Sequence, residues 1–295
     1  MKKSNLIKRF LVALVFIPGL IYLFYIGGIA FSISIAIISL LAYYEFLMGS
    51  LKIKSKKVVS VIVILAALLF QYRFIVNIFH LTDSGSLASF HGIALMAWLL
   101  LIFILFFLSF FYLNKKNLPS MINDFGMIVS GFFYTQVLLF TLPLLREFIP
   151  NNNGFHVILF ILIMIWINDS LAFFGGSLFG KHKLVPTISP NKTVEGFLTT
   201  LFLTPVFAVI FHLIFKYPGS ILKAALLGAV VSFFAMYGDL IESALKRSLG
   251  IKDFGNLLPG HGGFLDRIDS VLVVAPVFFI WYFFGGILSG IKWFF

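Results

Sequence analysis

About nine runs of roughly twenty apolar residues divide this chain, and that pattern decides most of what it can fold into. The runs lie near 8–26, 29–48, 58–79, 93–113, 121–145, 155–178, 196–215, 222–247 and 267–288. A bilayer core about 30 Å thick is crossed by a helix of this length. No soluble core absorbs so much apolar surface: 61% of the 295 residues are hydrophobic and only 11% are charged. Ordinary soluble domains hold about 45–50% apolar and about 25% charged residues. Backbone groups in lipid must be satisfied within the chain, and no alternating strand pattern is present, so the spans read as helices. The expected fold class is all-α, a polytopic integral membrane protein with about nine transmembrane helices. The first run follows Lys2, Lys3, Lys8 and Arg9. It is too long for a signal-peptide core, and no small-x-small cleavage site follows it, so it reads as the first span.

The formal charge of +11 points to membrane orientation and not to nucleic acid. The lysines and arginines cluster in alternate loops: Lys52, Lys54, Lys56 and Lys57; Lys115 and Lys116; Lys181, Lys183 and Lys192; Lys246, Arg247, Lys252 and Arg267. The intervening loops and ends hold only Arg73, Arg146, Lys216, Lys223 and Lys292. Positive residues stay on the cytoplasmic side, so the N-terminus is expected inside and the C-terminus outside. There is no cysteine, which excludes disulfides, thiolate metal sites and a cysteine nucleophile.

Acidic residues separate the chain into an N-terminal membrane region, 1–150, and a C-terminal catalytic region, 151–295. Glu45, Asp83, Asp124 and Glu147 fall at span ends and read as solvated. Asp169, Glu195, Asp239, Glu242, Asp253, Asp266 and Asp269 all lie in the second region, several of them in or beside apolar spans. A carboxylate at membrane depth is a functional candidate by default.

Three stretches carry the chemistry. In Tyr237–Ser248, Asp239, Glu242, Ser243 and Lys246 are spaced i, i+3, i+4, i+7 and share one helical face. In GHGGFLDRID, Gly260, Gly262 and Gly263 free the backbone to form an anion-binding nest around His261. Asp266 and Asp269 follow three residues apart, with Arg267 between them. In Asn168–Phe197, Asp169 sits inside an apolar span, followed by a basic loop whose Ser189-Pro190-Asn191-Lys192-Thr193 reads as a phosphate-contacting turn. Gly175–Lys181 nearly matches a P-loop, but His182 stands where Ser or Thr belongs and no strand precedes it. Oxygen ligands without thiols or clustered histidines favour a hard cation such as Mg²⁺. A metal beside clustered Lys and Arg is the equipment for a polyphosphate. A site built at the membrane face then takes a lipid as its second reactant.

Ser243–Asp269, SALKRSLGIKDFGNLLPGHGGFLDRID, resembles the signature of the phosphatidate cytidylyltransferase (CDP-diacylglycerol synthase) family: S-x-φ-K-R, four residues, K-D, then H-G-G-φ-x-D-R-φ-D, where φ is apolar. The Asp169–Gly196 region is similar to a second stretch of that family. It departs at Ser170, Leu171, Asn191 and Val194, which stand for Thr, Gly, Lys and Trp. The resemblance implies that CTP and phosphatidate give CDP-diacylglycerol and pyrophosphate, with Mg²⁺ and a monovalent cation such as K⁺, in a homodimer. With that reaction in view, Asp239, Glu242, Asp266 and Asp269 are assigned to the metal, and Asp239, Asp266, Asp269, Lys246 and Arg247 are the expected catalytic residues. Ser243, Lys252, His261, Gly262, Gly263, Arg267, Lys192, Ser189 and Asp169 are then expected to bind substrate. The build points to a bacterial inner membrane with the site on the cytoplasmic side. Two other classes stay open on the residues alone: a CTP-dependent lipid-alcohol kinase, which would transfer the γ-phosphate, and a cation transporter, which has no need of the glycine–histidine nest.

Overall fold

The hydrophobic runs form helices wherever the structure describes them, apart from a turn at 138–140 within the run 121–145. The computed structural model describes residues 18–51, 56–81, 102–107, 118–149, 153–215, 219–255, 257 and 262–289. A short helix over 18–26 precedes α1 (Gly28–Ser50) and α2 (Lys56–Leu81). Then come α3 (Leu118–Phe132), which runs into a π-helical turn Phe133–Val137, and α4 (Thr141–Phe148). The second region holds α5 (Asn153–Phe179), a hairpin of β1 (Lys183–Val185) and β2 (Ser189–Thr193), α6 (Val194–Phe215), α7 (Ile221–Leu249) and α8 (Leu265–Ser289).

Among the described residues, six helices are long and apolar enough to cross a membrane. They are Gly28–Ser50, Leu118–Phe148, Asn153–Phe179, Val194–Phe215, Ile221–Leu249 and Leu265–Gly285. The chain is thus a helical, polytopic membrane protein. The expected span at 58–79 is a helix whose apolar part, Lys57–Tyr72, is shorter than a full crossing. The expected spans 8–26 and 93–113 lie largely outside the described residues, which include helical 18–26 and 102–107. The all-α expectation holds, and one short element lies outside the helices. Residues 183–193 form a two-stranded antiparallel hairpin, with Lys183 opposite Thr193 and Val185 opposite Ser189. The stretch is too short and polar to continue a membrane helix, while Pro186 fixes a turn and Val185, Ile188 and Thr193 suit a pleated backbone.

The chain divides into two compact units. One holds residues 29–140 and 253–265. Its core is Tyr43, Leu47, Val59, Val63, Ile128 and Phe132, and the Tyr43 hydroxyl donates to the Ile128 carbonyl at 3.0 Å. Glu45 is not solvated as the sequence suggests: it is 3% exposed, and its Oε2 accepts from the Leu265 N–H at 3.1 Å. Asp124 is also buried. Asp83 lies outside the described residues.

The other unit holds residues up to 28, 141–252 and 266 onward. Gly27 and Gly28, both with positive φ, break the first helix from α1. Arg146 donates to the Phe24 and Tyr25 carbonyls at 2.8 and 3.0 Å, and Glu147 accepts from the Gly28 N–H at 2.7 Å. Both side chains therefore cap helix ends instead of facing water. Helices α5, α6 and α7 pack in sequence order. Ser232 bonds Thr200 at 2.9 Å across α7 and α6, the kind of polar contact that holds helices together in lipid.

Candidate functional site

The site lies within the second unit, where α5, the hairpin, α6 and α7 enclose a cavity of roughly 550 Å³. Its position follows from how the chain turns. After α5 ends, Glu195 in the first turn of α6 accepts from the N–H groups of Lys181 and His182 at 3.0 and 3.2 Å. Its other oxygen lies 2.6 Å from His182 Nδ1. Thr193, closing β2, accepts from the Gly196 N–H at 3.2 Å and so caps α6. A Cβ on Gly196 would lie 2.9 Å from the Ala172 carbonyl, so only glycine lets α6 start this close to α5. These ties turn Ser189, Asn191 and Lys192 into the cavity, opposite Asn168 and Asp169 of α5 and Asp239 of α7.

Charge runs from the cavity, where Asp169, Lys192 and Asp239 line it, to neighbouring groups of α7 and α8. Lys192 Nζ lies 2.5 Å from Asp239 Oδ2. Asp169 and Asp269 both lie within electrostatic reach of Asp239 and Lys192. Asp239, Glu242 and Asp269 each offer an oxygen within 4.8 Å of the others. Glu242 is 2% exposed, and its Oε1 has no hydrogen-bond partner among the described residues. Lys246 reaches Glu242 at 2.6 Å and Asp266 at 3.1 Å. Asp269 Oδ1 also accepts from the Ser270 N–H at 2.7 Å.

The four expected metal carboxylates are thus brought together unequally. Asp239, Glu242 and Asp269 form one cluster, while Asp266 pairs with Lys246 at its edge. Arg247 donates from Nε to the Ile188 carbonyl at 3.3 Å, tying α7 to the hairpin turn. Ser243 is half-buried on α7, and Lys252 and Arg267 are exposed. Gly262, with φ of 84°, and buried Gly263 lie in the 253–265 segment of the other unit. His261 and Gly260 lie outside the described residues.

Sequence reasoning passed over Asn168, which is 4% exposed beside Asp169. An amide inside an apolar span is the same kind of signal as a carboxylate there. It also passed over Gly238, where a Cβ would lie 2.6 Å from the Asp269 carbonyl oxygen of α8, a contact for which the sequence holds no signal.

Five carboxylates here face two ammonium groups, a formal excess of three negative charges. That donor set, oxygen only and short of positive charge, fits the chemistry of a hard divalent cation. The cavity also borders exposed apolar surface: Phe173, in its wall, is 70% exposed, and Leu178 on the same helix is 72% exposed.

Comparison with known proteins places the residues in context. Residues 7–284 match the model of the cytidylyltransferase family. A phosphatidate cytidylyltransferase of Bacillus subtilis (strain 168) is 34% identical over 274 residues, which cover 93% of this chain and 95% of that protein. Proteins of the same name from Staphylococcus haemolyticus (strain JCSC1435) and Staphylococcus aureus (strain COL) are 36% and 37% identical over 170 and 172 residues. Those alignments cover 58% of this chain and 65% of each relative.

Proposed function

We infer the function from one premise: the chain belongs to the cytidylyltransferase family. It is a nucleotidyltransferase of phospholipid biosynthesis that transfers the cytidylyl group of CTP to phosphatidate, giving CDP-diacylglycerol and pyrophosphate. The observation that carries this reading is the junction at Asp239, which lines the cavity and also belongs to the carboxylate cluster. A nucleotide-sized cavity, a cation site and a lipid-facing wall meet there.

The chemistry asks little of the protein in covalent terms. A phosphomonoester has its second pKa near 6, so the phosphatidate headgroup is largely dianionic at neutral pH and needs no general base. Its oxygen attacks the α-phosphorus of CTP, the bond from that phosphorus to the bridging oxygen breaks, and pyrophosphate leaves. The obstacle is the approach of two anions. Lys192, from the hairpin, and Lys246, from α7, supply fixed positive charge at the two ends of the carboxylate cluster. Ser189 lines the cavity with Lys192, and Arg247 and Lys252 extend the basic surface toward the triphosphate. Asp239, Glu242 and Asp269 would hold Mg²⁺, which supplies charge neutralisation at the reacting phosphates. The negative charge that remains suits a monovalent cation such as K⁺. Asp266 holds Lys246 in place, and Asn168 and Asp169 face the nucleotide. Apolar residues of α5, Phe173 first among them, leave room for the acyl chains.

By the distribution of Lys and Arg, the site opens to the cytoplasm, the chain spans the membrane about nine times, and a bacterial inner membrane and a homodimer complete the proposal. The lipid kinase and transporter alternatives have no support in these relatives. The full chain, incubated with phosphatidate, Mg²⁺ and CTP labelled at either the α- or the γ-phosphate, tests the reaction. Label from the α-position enters lipid if the reading is right. Label from the γ-position in lipid would instead establish a kinase, and no label in lipid would refute both.

A further inference from the structure

Helices α7 and α8 cross with their backbones almost touching, and the contact joins the chain neighbour of one clustered carboxylate, Asp239, to the backbone of another, Asp269. A Cβ built on Gly238 would lie 2.6 Å from the Asp269 carbonyl oxygen and 2.9 Å from the Ser270 Cα. Both are backbone atoms, so a side chain at 238 cannot be accommodated by a rotamer change; one helix must move. Three residues earlier on the same face, the Ala235 carbonyl accepts from the Ser270 hydroxyl at 3.2 Å. Ala235 and Gly238 therefore seat Ser270 and Asp269 in a fixed register. Asp239, next to Gly238 in the chain, and Asp269, whose backbone makes the contact, belong to the cluster whose oxygens lie within 4.8 Å of one another.

We propose that Gly238 is a positioning residue: by letting α8 approach α7 to backbone contact, it sets the separation of Asp239 from Asp269 and so the affinity of the cluster for a divalent cation. This rests on the reading of Asp239, Glu242 and Asp269 as a cation site. The close approach is a separable property of the molecule, because α7 carries a second such glycine. A Cβ on Gly228 would lie 2.8 Å from the Pro205 Cα and 3.0 Å from the Thr204 carbonyl oxygen of α6. The crowding is comparable, but it lies ten residues from Gly238 and against a different helix. General loosening of the bundle follows from a methyl at either position. A change in cation affinity follows only from one at Gly238.

The test is Mn²⁺ binding to the full chain in detergent, read from the electron paramagnetic resonance signal of free Mn²⁺, for wild type, Gly238→Ala and Gly228→Ala. Gly238→Ala is expected to weaken Mn²⁺ by about 10–100-fold, the range seen when the support of metal ligands is disturbed. Gly228→Ala is expected to bind as wild type does, even where its thermal stability falls. Equal affinity in wild type and Gly238→Ala, or equal weakening in both variants, would overturn the proposal. Wild type that binds no Mn²⁺ would overturn the cation site itself, a distinguishable failure. Should Gly238→Ala not fold, Ser270→Ala decides. It removes the bond to the Ala235 carbonyl without adding bulk and should weaken Mn²⁺ by about two- to tenfold; unchanged affinity there would count against the register.

Discussion

Replacing Lys246 with methionine should destabilise the protein through Glu242. The Lys246 ammonium lies 2.6 Å from Glu242 and 3.1 Å from Asp266, and its side chain is 16% exposed. At an effective dielectric near 20, Coulomb's law gives gross attractions of about 6 and about 5 kcal/mol for these distances. Desolvation of the three charges offsets most of that. The loss on removing one partner is larger than the net worth of the pair, because Glu242, 2% exposed, is left as a buried carboxyl that must stay charged without compensation or take up a proton. Breaking a buried pair in this way costs roughly 3–5 kcal/mol. For a chain of this size that is a fall in midpoint of roughly 6–10 °C. The assay is thermal unfolding in detergent with a chelator present, so that no divalent cation substitutes for the missing charge. The double variant Lys246→Met with Glu242→Gln should recover much of the loss, since it removes the stranded charge, yet stay inactive. A midpoint within about 1 °C of wild type for the single variant, or a double variant as unstable as the single, would refute the reasoning.

Lys192→Met should behave differently. Its pair with Asp239 is partly solvated, at 22% and 39% side-chain exposure, so stability should change by less than about 1 kcal/mol. Turnover, measured as initial rate, should fall on the order of 100-fold for want of a fixed charge at the phosphates. Arg146→Ala should show the opposite profile: it loses both bonds to the Phe24 and Tyr25 carbonyls, costing about 2–3 kcal/mol in a thermal scan. Turnover per folded molecule should not change. Arg247→Lys keeps the charge but loses the planar fork that reaches the hairpin turn at Ile188. Its turnover should drop on the order of 100-fold with the protein folded and inserted, the scale of a small misplacement of reacting groups.

Helix positions were legible in the sequence because hydrophobic length is a local property. Each expected span that is fully described proves to be helical, 121–145 with a π-helical segment and a turn inside it, and α7 places Asp239, Glu242 and Lys246 on one face as their spacing requires. What was not legible is how two helices meet. Asp266 and Asp269 share a face of α8, but they lie about one turn apart along it, and α8 meets α7 at one register only. Asp269 falls beside Asp239, and Asp266 falls beside Lys246, seven residues further along α7. That register is fixed by the Gly238 contact with Asp269 and Ser270, which no local pattern reveals. The caps formed by Glu45 and Glu147 were missed for the same reason, since their partners lie 220 and 119 residues away in the chain. The hairpin was missed because its strands are three and five residues long, too short for alternation to show.

The central claim is that carboxylates from α7 and α8 act as one cation site for cytidylyl transfer. It is tested most directly by Asp239→Asn and Asp269→Asn, singly and together, with CDP-diacylglycerol formation titrated against Mg²⁺. One shared site predicts that each single change nearly abolishes turnover or raises the Mg²⁺ requirement sharply, and that the double variant is hardly worse than the worse single, because residues acting as a unit are not additive. Two independent losses that multiply, or turnover indifferent to Mg²⁺, would contradict it.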